Sequence, residues 1–368
     1  MALGLPSVTV AFNEAGATAI QRGNRGIVAL ILKDSTNAGL IIMDSTDDIP
    51  STLTTYNIKQ LNDAWIGNVT TPTRVIAYVE PTAATDYSAA MTALEAEQWD
   101  YLAVPGIDSA DATTISTWIK GLRDNSGMKV KAVLPHTVAN HEGIIDFETD
   151  NIIVNTTTAN PDGTTSISNE TYAAADYCTR IAGLIAGTPL KQSATYAVLP
   201  EVSDVPHMTI TDFNTAIAAG KFVLMNDGKK VKVARAVNSL TTLTSTKGRD
   251  YQKIKQVDIM DQINDDIDST INDYYIGKYP NDYNDKCLLI TAIHGYCDQL
   301  ISDKLIDTTY SIDIDMVAQR AYLKAQGTDI SKMTDQQIKE ANTGDTVLLA
   351  GNMSILDAIE NFDLNIGI

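Results

Sequence analysis

Four short apolar segments, set apart by helical patterns, constrain the fold of this chain more than any other feature. The segments are Arg74–Glu80, Asp100–Pro105, Lys129–Pro135 and Asn151–Asn155. Between the first three, apolar residues recur at helical spacing, from Tyr87 to Trp99 and from Ala112 to Arg123. Strands that alternate with helices are typical of a parallel sheet that is buried on both faces. The sequence therefore predicts a parallel α/β domain.

A third helical pattern and a proline-bounded segment mark the end of this domain. Residues Thr171 to Ala186 carry one apolar stripe, which stops at Gly187 and Pro189. The segment from Glu201 to Pro206 then breaks the periodicity. We therefore place the α/β domain at residues 24–204.

The following residues have the pattern of a different, α+β domain. Lys221–Met225 and Lys230–Ala234 flank Asp227-Gly228, a pair that readily adopts the positive φ angles of a tight hairpin. Apolar residues then recur at helical spacing from Ile254 to Ile271. We place this domain at residues 205–345. The polar face of its long helix is acidic and is expected to be solvated; it carries Asp258, Asp261, Asp265, Asp266 and Asp268.

Both ends of the chain alternate apolar and polar residues, which predicts a strand at each end. Terminal segments fray unless a sheet receives them, so each strand is expected to complete a sheet in this molecule or in a neighbour. We define an N-terminal arm at residues 1–23 and a C-terminal arm at residues 346–368. The predicted contacts between subunits are Val8, Val10, Phe12, Phe362, Leu364, Ile366 and Ile368.

The composition limits the classes of partner. Asp+Glu 46 against Lys+Arg 27 leave a formal charge of -19, which repels nucleic-acid backbones and anionic lipid. No apolar run approaches the roughly 20 residues that a bilayer requires, and the N-terminus has no signal-peptide pattern. We expect a soluble chain that is not secreted by the usual route and does not insert into a membrane. The cysteines, Cys178, Cys287 and Cys297, are expected to be reduced thiols in a core.

Sequence motifs for catalysis are absent. The chain has no GxGxxG after a candidate strand, no GxSxG, and no HExxH around His136 and His141. We therefore predict no catalytic, cofactor or metal site. An enzyme that binds small molecules on a doubly wound sheet remains the alternative, with its ligand near Pro105–Asp108 and Pro135–His136.

Basic residues are concentrated in and after the predicted hairpin. They could face an acidic partner or a neighbouring copy, or they could balance the acidic helix of their own chain. The candidate partner contacts are Lys229, Lys230, Lys232, Arg235, Lys253 and Lys255.

Several segments resemble one protein family. The stretch Gly220–Thr244, continued by Lys253–Ile263, is similar to the C-terminal core of contractile tail sheath proteins in its order of hairpin, arginine, Leu-Thr-Thr and helix. The opening Gly4–Val8 and Arg25–Ala29 resemble the N-terminal segment of that family. The compact length is similar to sheaths of Gram-positive phages and R-type bacteriocins.

The resemblance implies a structural subunit and not an enzyme. Six copies would form a ring, rings would stack helically around a tail tube, and terminal arms would add strands to sheets of adjacent subunits. Contraction would drive the tube through a target cell envelope. The implied partners are further copies, the tube protein, and baseplate and tail terminator proteins. Assembly would take place in the bacterial cytoplasm, and release would place the chain in an extracellular phage tail or bacteriocin particle.

Overall fold

The computed structural model describes residues 18–23, 25–159 and 165–366. The chain forms two compact units. The large unit contains Gly23–Asp265 and Asp357–Ile368, and the small unit contains Met1–Arg22 and Asp266–Leu356. The boundary predicted after residue 204 does not coincide with a boundary between these units.

The elements are named in chain order. The strands are β1 (Ile27–Asp34), β2 (Gly39–Met43), β3 (Arg74–Pro81), β4 (Tyr101–Ala103), β5 (Lys131–Pro135), β6 (Ile144–Phe147), β7 (Ile152–Ala159), β8 (Thr165–Tyr172), β9 (Val202–Asp204), β10 (Lys221–Phe222), β11 (Leu224–Asn226), β12 (Val231–Val233), β13 (Ile306–Ile314) and β14 (Leu349–Ile355). The α-helices are α1 (Thr55–Trp65), α2 (Ser88–Leu94), α3 (Ser109–Asn125), α4 (Ala174–Ala186), α5 (Ile210–Ala218), α6 (Ile254–Tyr274), α7 (Tyr283–Ser302), α8 (Met316–Ala325) and α9 (Asp335–Glu340).

A seven-stranded sheet is the centre of the large unit. Its order is β10-β6-β5-β4-β1-β3-β2, and its neighbours are parallel except for the edge strand β2. Alternate residues of β1 enter cores on opposite faces, with Leu30 and Leu32 on one side and Ala29 and Ile31 on the other. This confirms the predicted parallel α/β sheet, including its strands β3, β4 and β5.

Helices cover both faces of this sheet, as a parallel sheet requires. Leu94 of α2 and Ile119 of α3 belong to one core, while Leu61 of α1 and Ile181 of α4 belong to the other. The three helices predicted from periodicity are α2, α3 and α4. Gly183 lets α4 lie close to α1, because a Cβ at that position would stand 2.0 Å from the carbonyl oxygen of Ala64.

The fourth apolar segment, Asn151–Asn155, was wrongly predicted to join the parallel sheet. It lies in β7, which pairs antiparallel with β8 and β9 in a separate three-stranded sheet. Ile152 and Val154 are buried, whereas Asn155 and Thr156 are exposed. A strand that continues into Thr and Asn residues cannot be buried on both faces, so the place beside β5 is taken by β6.

The predicted hairpin is present, but its first strand is divided. β11 pairs antiparallel with β12 around Asp227-Gly228, where Gly228 has a φ of 86°. The preceding pair Lys221-Phe222 forms β10, which extends the parallel sheet beside β6. Phe222, Leu224 and Val233 enter the same core as the sheet, so the hairpin is part of the large unit.

The small unit consists of the second half of α6, then α7 to α9 and a two-stranded sheet. β13 pairs antiparallel with β14 from Ile314↔Leu349 to Ile306↔Ile355. The imidazole Nε2 of His294 on α7 lies 3.1 Å from the carbonyl oxygen of Ile312 on β13. None of the helices within the described residues has the length and apolar content needed to cross a bilayer.

Candidate assembly site

Part of the acidic face of α6 is buried, which corrects the prediction that the whole face is solvated: Asp258, Asp261 and Asp266 are buried, whereas Asp265 and Asp268 are exposed. Asp258 is 8% exposed and accepts a hydrogen bond from Arg25 Nη2 at 2.7 Å. Lys131 Nζ lies 3.0 Å from the same carboxylate, and the Tyr101 hydroxyl donates to it. Burial, followed by the charge of Asp258, raises the pKa of Tyr101 well above its usual value, so this hydroxyl keeps its proton.

Asp261, one turn later, is paired more completely. Arg123 donates to both of its carboxylate oxygens at 3.0 and 2.9 Å, and Lys131 forms a second ion pair with it. Burial opposes ionisation, yet Lys131 and Arg123 outweigh it and lower the pKa of Asp261 to about 2. These contacts join α6 to β5 through Lys131 and to α3 through Arg123. Both cations are buried, and a buried charge is tolerated only when a counter-charge pairs with it.

The C-terminal segment is held on the large unit by two carboxylates. Glu360 accepts hydrogen bonds from Ser193 Oγ at 2.9 Å and from Thr195 Oγ1 at 2.6 Å. It also accepts two from Arg235, Nε at 3.0 Å and Nη2 at 2.7 Å. Three residues earlier, Asp357 forms an ion pair with Lys253. The segment is therefore anchored by polar contacts.

Beyond this anchor the predicted arm contacts are exposed. Phe362, Leu364 and Ile366 are 83%, 63% and 75% exposed, and the described part of the chain after β14 has no strand. These apolar side chains are therefore not folded back onto the body of this single chain. Val8, Val10, Phe12 and Ile368 lie outside the described residues.

The predicted basic contacts fall into four environments. Arg235 and Lys253 hold the C-terminal segment through Glu360 and Asp357. Lys232 pairs with Asp227 of its own hairpin at 2.9 Å.

The other three basic residues differ in exposure. Lys255 is only 6% exposed. Lys229 and Lys230 are exposed at the hairpin tip, and their side chains have no ion pair with any residue that the structure describes. Of the six predicted contacts, Lys229 and Lys230 are thus the two that present an exposed basic surface. The acidic partners of Lys232, Arg235 and Lys253 were not identifiable from the sequence.

The β13–β14 sheet has the geometry to receive added strands. Each of its strands has one neighbour within the described residues, so the outer edge of each is unpaired. Side chains of β13 such as Asp307, Thr309 and Ser311 are exposed. An unpaired edge presents backbone N–H and C=O groups that can pair with another strand.

Asp124, His141 and Glu142 lie close enough together to suggest a metal site, with ligand atoms within 4.8 Å of one another. The hydrogen bonds do not fit this use. The Gly143 amide donates to His141 Nδ1 at 3.0 Å, so neutral His141 carries its proton on Nε2, the atom that faces Asp124 at 3.4 Å. Lys247 Nζ forms an ion pair with Glu142 Oε1 at 2.7 Å. The cluster is better explained as a polar contact between loops.

The carboxyl end of the parallel sheet has a cavity of 390 Å³ near the point where strand order reverses at β1. Asp108, which lines it, accepts the amides of Ala110 and Asp111 at 2.9 Å and thereby caps α3. His136 lies 3.3 Å from Glu148 and 3.0 Å from Asp150, away from that cavity's lining. The residues named for the enzyme alternative thus have structural contacts and do not converge.

Comparisons with known proteins agree with one family. Residues 80–239 match the family model of the phage tail sheath protein central domain, and residues 246–368 match that of the phage tail sheath C-terminal domain. The tail sheath protein of Clostridium phage phiCD119 is 37% identical over 370 residues, which cover 99% of each chain.

Solved sheath structures share the fold. A sheath tail protein from Desulfitobacterium hafniense aligns with a TM-score of 0.69 and 19% identity, over 84% of this chain and 94% of that one. The helical sheath of the anti-feeding prophage in its contracted state aligns with a TM-score of 0.70 and 13% identity, over 100% of this chain and 99% of that one. The resemblance seen in the sequence is confirmed, and the alternative of a small-molecule enzyme is not favoured. The chain belongs to the phage tail sheath protein family.

Proposed function

We propose that this chain polymerises as helically stacked hexameric rings around a tail tube, and that its arms link the subunits by adding strands to sheets of neighbouring copies. The observation that carries the proposal is the exposure of Phe362, Leu364 and Ile366 just beyond a fixed anchor. Exposure of three apolar side chains in alternating positions is unfavourable in an isolated chain. Pairing with a sheet edge of a second copy would bury them.

The receiving site in this proposal is the β13–β14 sheet of another copy. Among the described residues each of its two strands has one unpaired edge, and each subunit would supply two arms, one from residues 1–23 and one from the residues beyond Glu360. One arm on each edge would extend the sheet to four strands. Every subunit would then be linked to others through both ends of its chain.

A single arm is weak on its own. Burial of Phe362, Leu364, Ile366 and Ile368 would contribute about 6 to 12 kcal/mol. Ordering seven backbone residues costs about 7 to 14 kcal/mol, and ladder hydrogen bonds at about 1 kcal/mol each bring the sum near balance. The lattice would therefore depend on many arms acting at high effective concentration.

Contraction would convert an extended lattice to a tighter one without nucleotide hydrolysis. The large unit would move as a rigid body, since Arg123, Lys131 and Asp261 fasten α6 to its sheet. The arms would flex and keep the subunits connected. The partners of the polymer would be the tube protein, the baseplate and a tail terminator, with Lys229 and Lys230 available for an acidic surface.

Removal of residues 361–368 tests the proposal. The truncated chain should remain soluble, with the circular dichroism spectrum and melting temperature of the full chain, because those residues contribute little buried surface. It should fail to form tubes under conditions in which the full chain forms hollow, helically striated cylinders in negative stain. Tubes of normal length from the truncated chain would contradict the arm mechanism, and closed shells from the full chain would contradict a sheath.

A further inference from the structure

The contact between the C-terminal segment and the large unit is made by charges and not by apolar burial. The Glu360 side chain is 9% exposed, although Ile359 beside it is 91% exposed and Phe362 is 83% exposed. Burial opposes ionisation of Glu360, but bonds from Thr195, Ser193 and Arg235 outweigh it and hold its pKa below the usual value. A buried, ionised carboxylate with this many donors is a specific contact.

The receptor for Glu360 is itself held in place. Ser193 Oγ accepts the amide of Thr195 at 3.1 Å, and Thr195 Oγ1 accepts the amide of Ala236 at 3.0 Å. Ser193 and Thr195 lie between α4 and β9, while Arg235 follows β12. Two separate segments of the large unit thus converge on one carboxylate. The two hydroxyl partners of Glu360 are also bonded to backbone amides of the large unit, which favours a preorganised anchor.

We propose that Asp357 and Glu360, held by Lys253 and Arg235, form a clamp that sets the length of the exchangeable C-terminal arm. With the clamp closed, only residues 361–368 can leave the subunit. Eight extended residues reach at most about 26 to 29 Å, so the receiving edge must lie within that distance of the clamp. With the clamp open, the free segment would begin after Leu356, whose amide is bonded to Leu305, and would contain 12 residues.

This inference rests on the proposed arm exchange and adds positioning residues to it. A longer free segment samples more conformations, and the effective concentration of its end falls roughly as the −3/2 power of its length. Lengthening from eight to 12 residues lowers that concentration about twofold per arm. The lattice contains one C-terminal arm contact per subunit, so opening the clamp should raise the critical concentration for polymerisation about twofold.

A spin label between the two carboxylates reports the clamp directly. Ile359→Cys in a Cys287→Ser background places the label on an exposed residue, while Cys178 and Cys297 are buried. In the full chain below its critical concentration, the label should show restricted motion. Glu360→Gln and Arg235→Met should each mobilise it. Asp363→Asn is the matched control: it removes the same charge three residues further on, from an exposed side chain beyond the clamp, and should leave the label restricted.

The double variant Arg235→Met, Glu360→Gln completes a mutant cycle. If the two residues act as one clamp, the label in the double variant should be no more mobile than in the single variants. Additive mobilisation, or an immobile label in Glu360→Gln, would overturn the clamp. The melting temperature of the large unit should change little in all variants, which separates positioning from loss of fold.

Sedimentation without the label gives the assembly readout. Glu360→Gln leaves Asp357 in place and frees 11 residues, so it should raise the critical concentration about 1.6-fold, and Asp363→Asn should not. An unchanged value in Glu360→Gln with a mobilised label would overturn the link between clamp and arm length. Normal polymerisation of the chain that lacks residues 361–368 would instead overturn the arm exchange itself, while the spin-label result would still decide whether the clamp exists.

Discussion

Arg123 donates hydrogen bonds from its two terminal N–H groups to the two carboxylate oxygens of Asp261 and so joins α3 to α6 inside the large unit. The same carboxylate pairs with Lys131, which is 1% exposed. These contacts hold the first turns of α6 on the sheet and helices of the large unit.

Replacing Asp261 by Asn should destabilise the large unit by about 3 to 5 kcal/mol, because Arg123 and Lys131 would be left as buried charges without compensation. Urea denaturation followed by circular dichroism measures the change in free energy of unfolding. Asp265→Asn is the matched control on the same helix, since Asp265 is exposed, and it should change that free energy by less than about 0.5 kcal/mol. Equal effects of the two substitutions would contradict the role of the buried pair.

The contribution of Asp261 should depend on pH in a defined window. Its pKa in the folded chain is about 2, below the ordinary 3.8, so the folded state favours the ionised form. The stabilisation is complete above about pH 4 and decreases as the pH falls to about 2, by about 2 kcal/mol in total. The difference in stability between the native chain and Asp261→Asn should shrink over this range. A difference that stays constant from pH 5 to pH 2 would contradict the assignment.

The alternation of the arm predicts different effects at adjacent positions. Leu364→Asp introduces a charge on the apolar side of the predicted strand, whereas Asn365→Asp introduces the same charge on the polar side. Burial of a leucine contributes about 1.5 to 3 kcal/mol, so Leu364→Asp should raise the critical concentration for polymerisation at least about tenfold. Asn365→Asp should change it much less. Sedimentation measures both, and similar values for the two variants would contradict a strand in which only one face is buried.

The lysines at the hairpin tip should act on assembly and not on folding. Replacing Lys229 and Lys230 by Ala should leave the melting temperature within error, because both side chains are exposed. If the tip faces an acidic surface, the variant should polymerise more slowly at low salt, and its rate should depend less on salt than that of the native chain. Lys191→Ala, at another exposed lysine of the large unit, is the control. Light scattering at several salt concentrations measures the polymerisation rate of each variant. Equal salt dependence of the Lys229/Lys230 variant and the Lys191→Ala control would contradict a role for the tip.

Sequence periodicity was sufficient for most of the parallel sheet and its helices. β3 and β5 are continuous apolar segments and α3 is an amphipathic one. The apolar residues of such segments are stable only in a core, so their pattern indicates which element forms and which side is buried. Asn151–Asn155 was assigned wrongly because a short apolar segment has the same appearance in a buried parallel strand and at the start of an exposed ribbon. Only its pairing with β8 and β9 distinguishes the two.

The anchor of the C-terminal segment shows the limit for the site. The alternation of residues 362–366 was visible in the sequence, and so were the basic residues Arg235 and Lys253. Their connection was not visible, because Glu360 and Arg235 are 125 residues apart and nothing in either local sequence identifies the other. The one signal present in the sequence was the pair of acidic residues, Asp357 and Glu360, just before the apolar alternation.

The amino-acid sequence by itself determined the local elements of this protein: strands and helices from the apolar period, and the hairpin from Asp227-Gly228. The tertiary structure decided which charges meet. Asp258 and Asp261 on the helix looked solvated until the fold placed them against Arg25, Lys131 and Arg123. The reason is physical, since periodicity is a property of neighbours along the chain, whereas the pairing of charges depends on distances that exist only after the chain has folded.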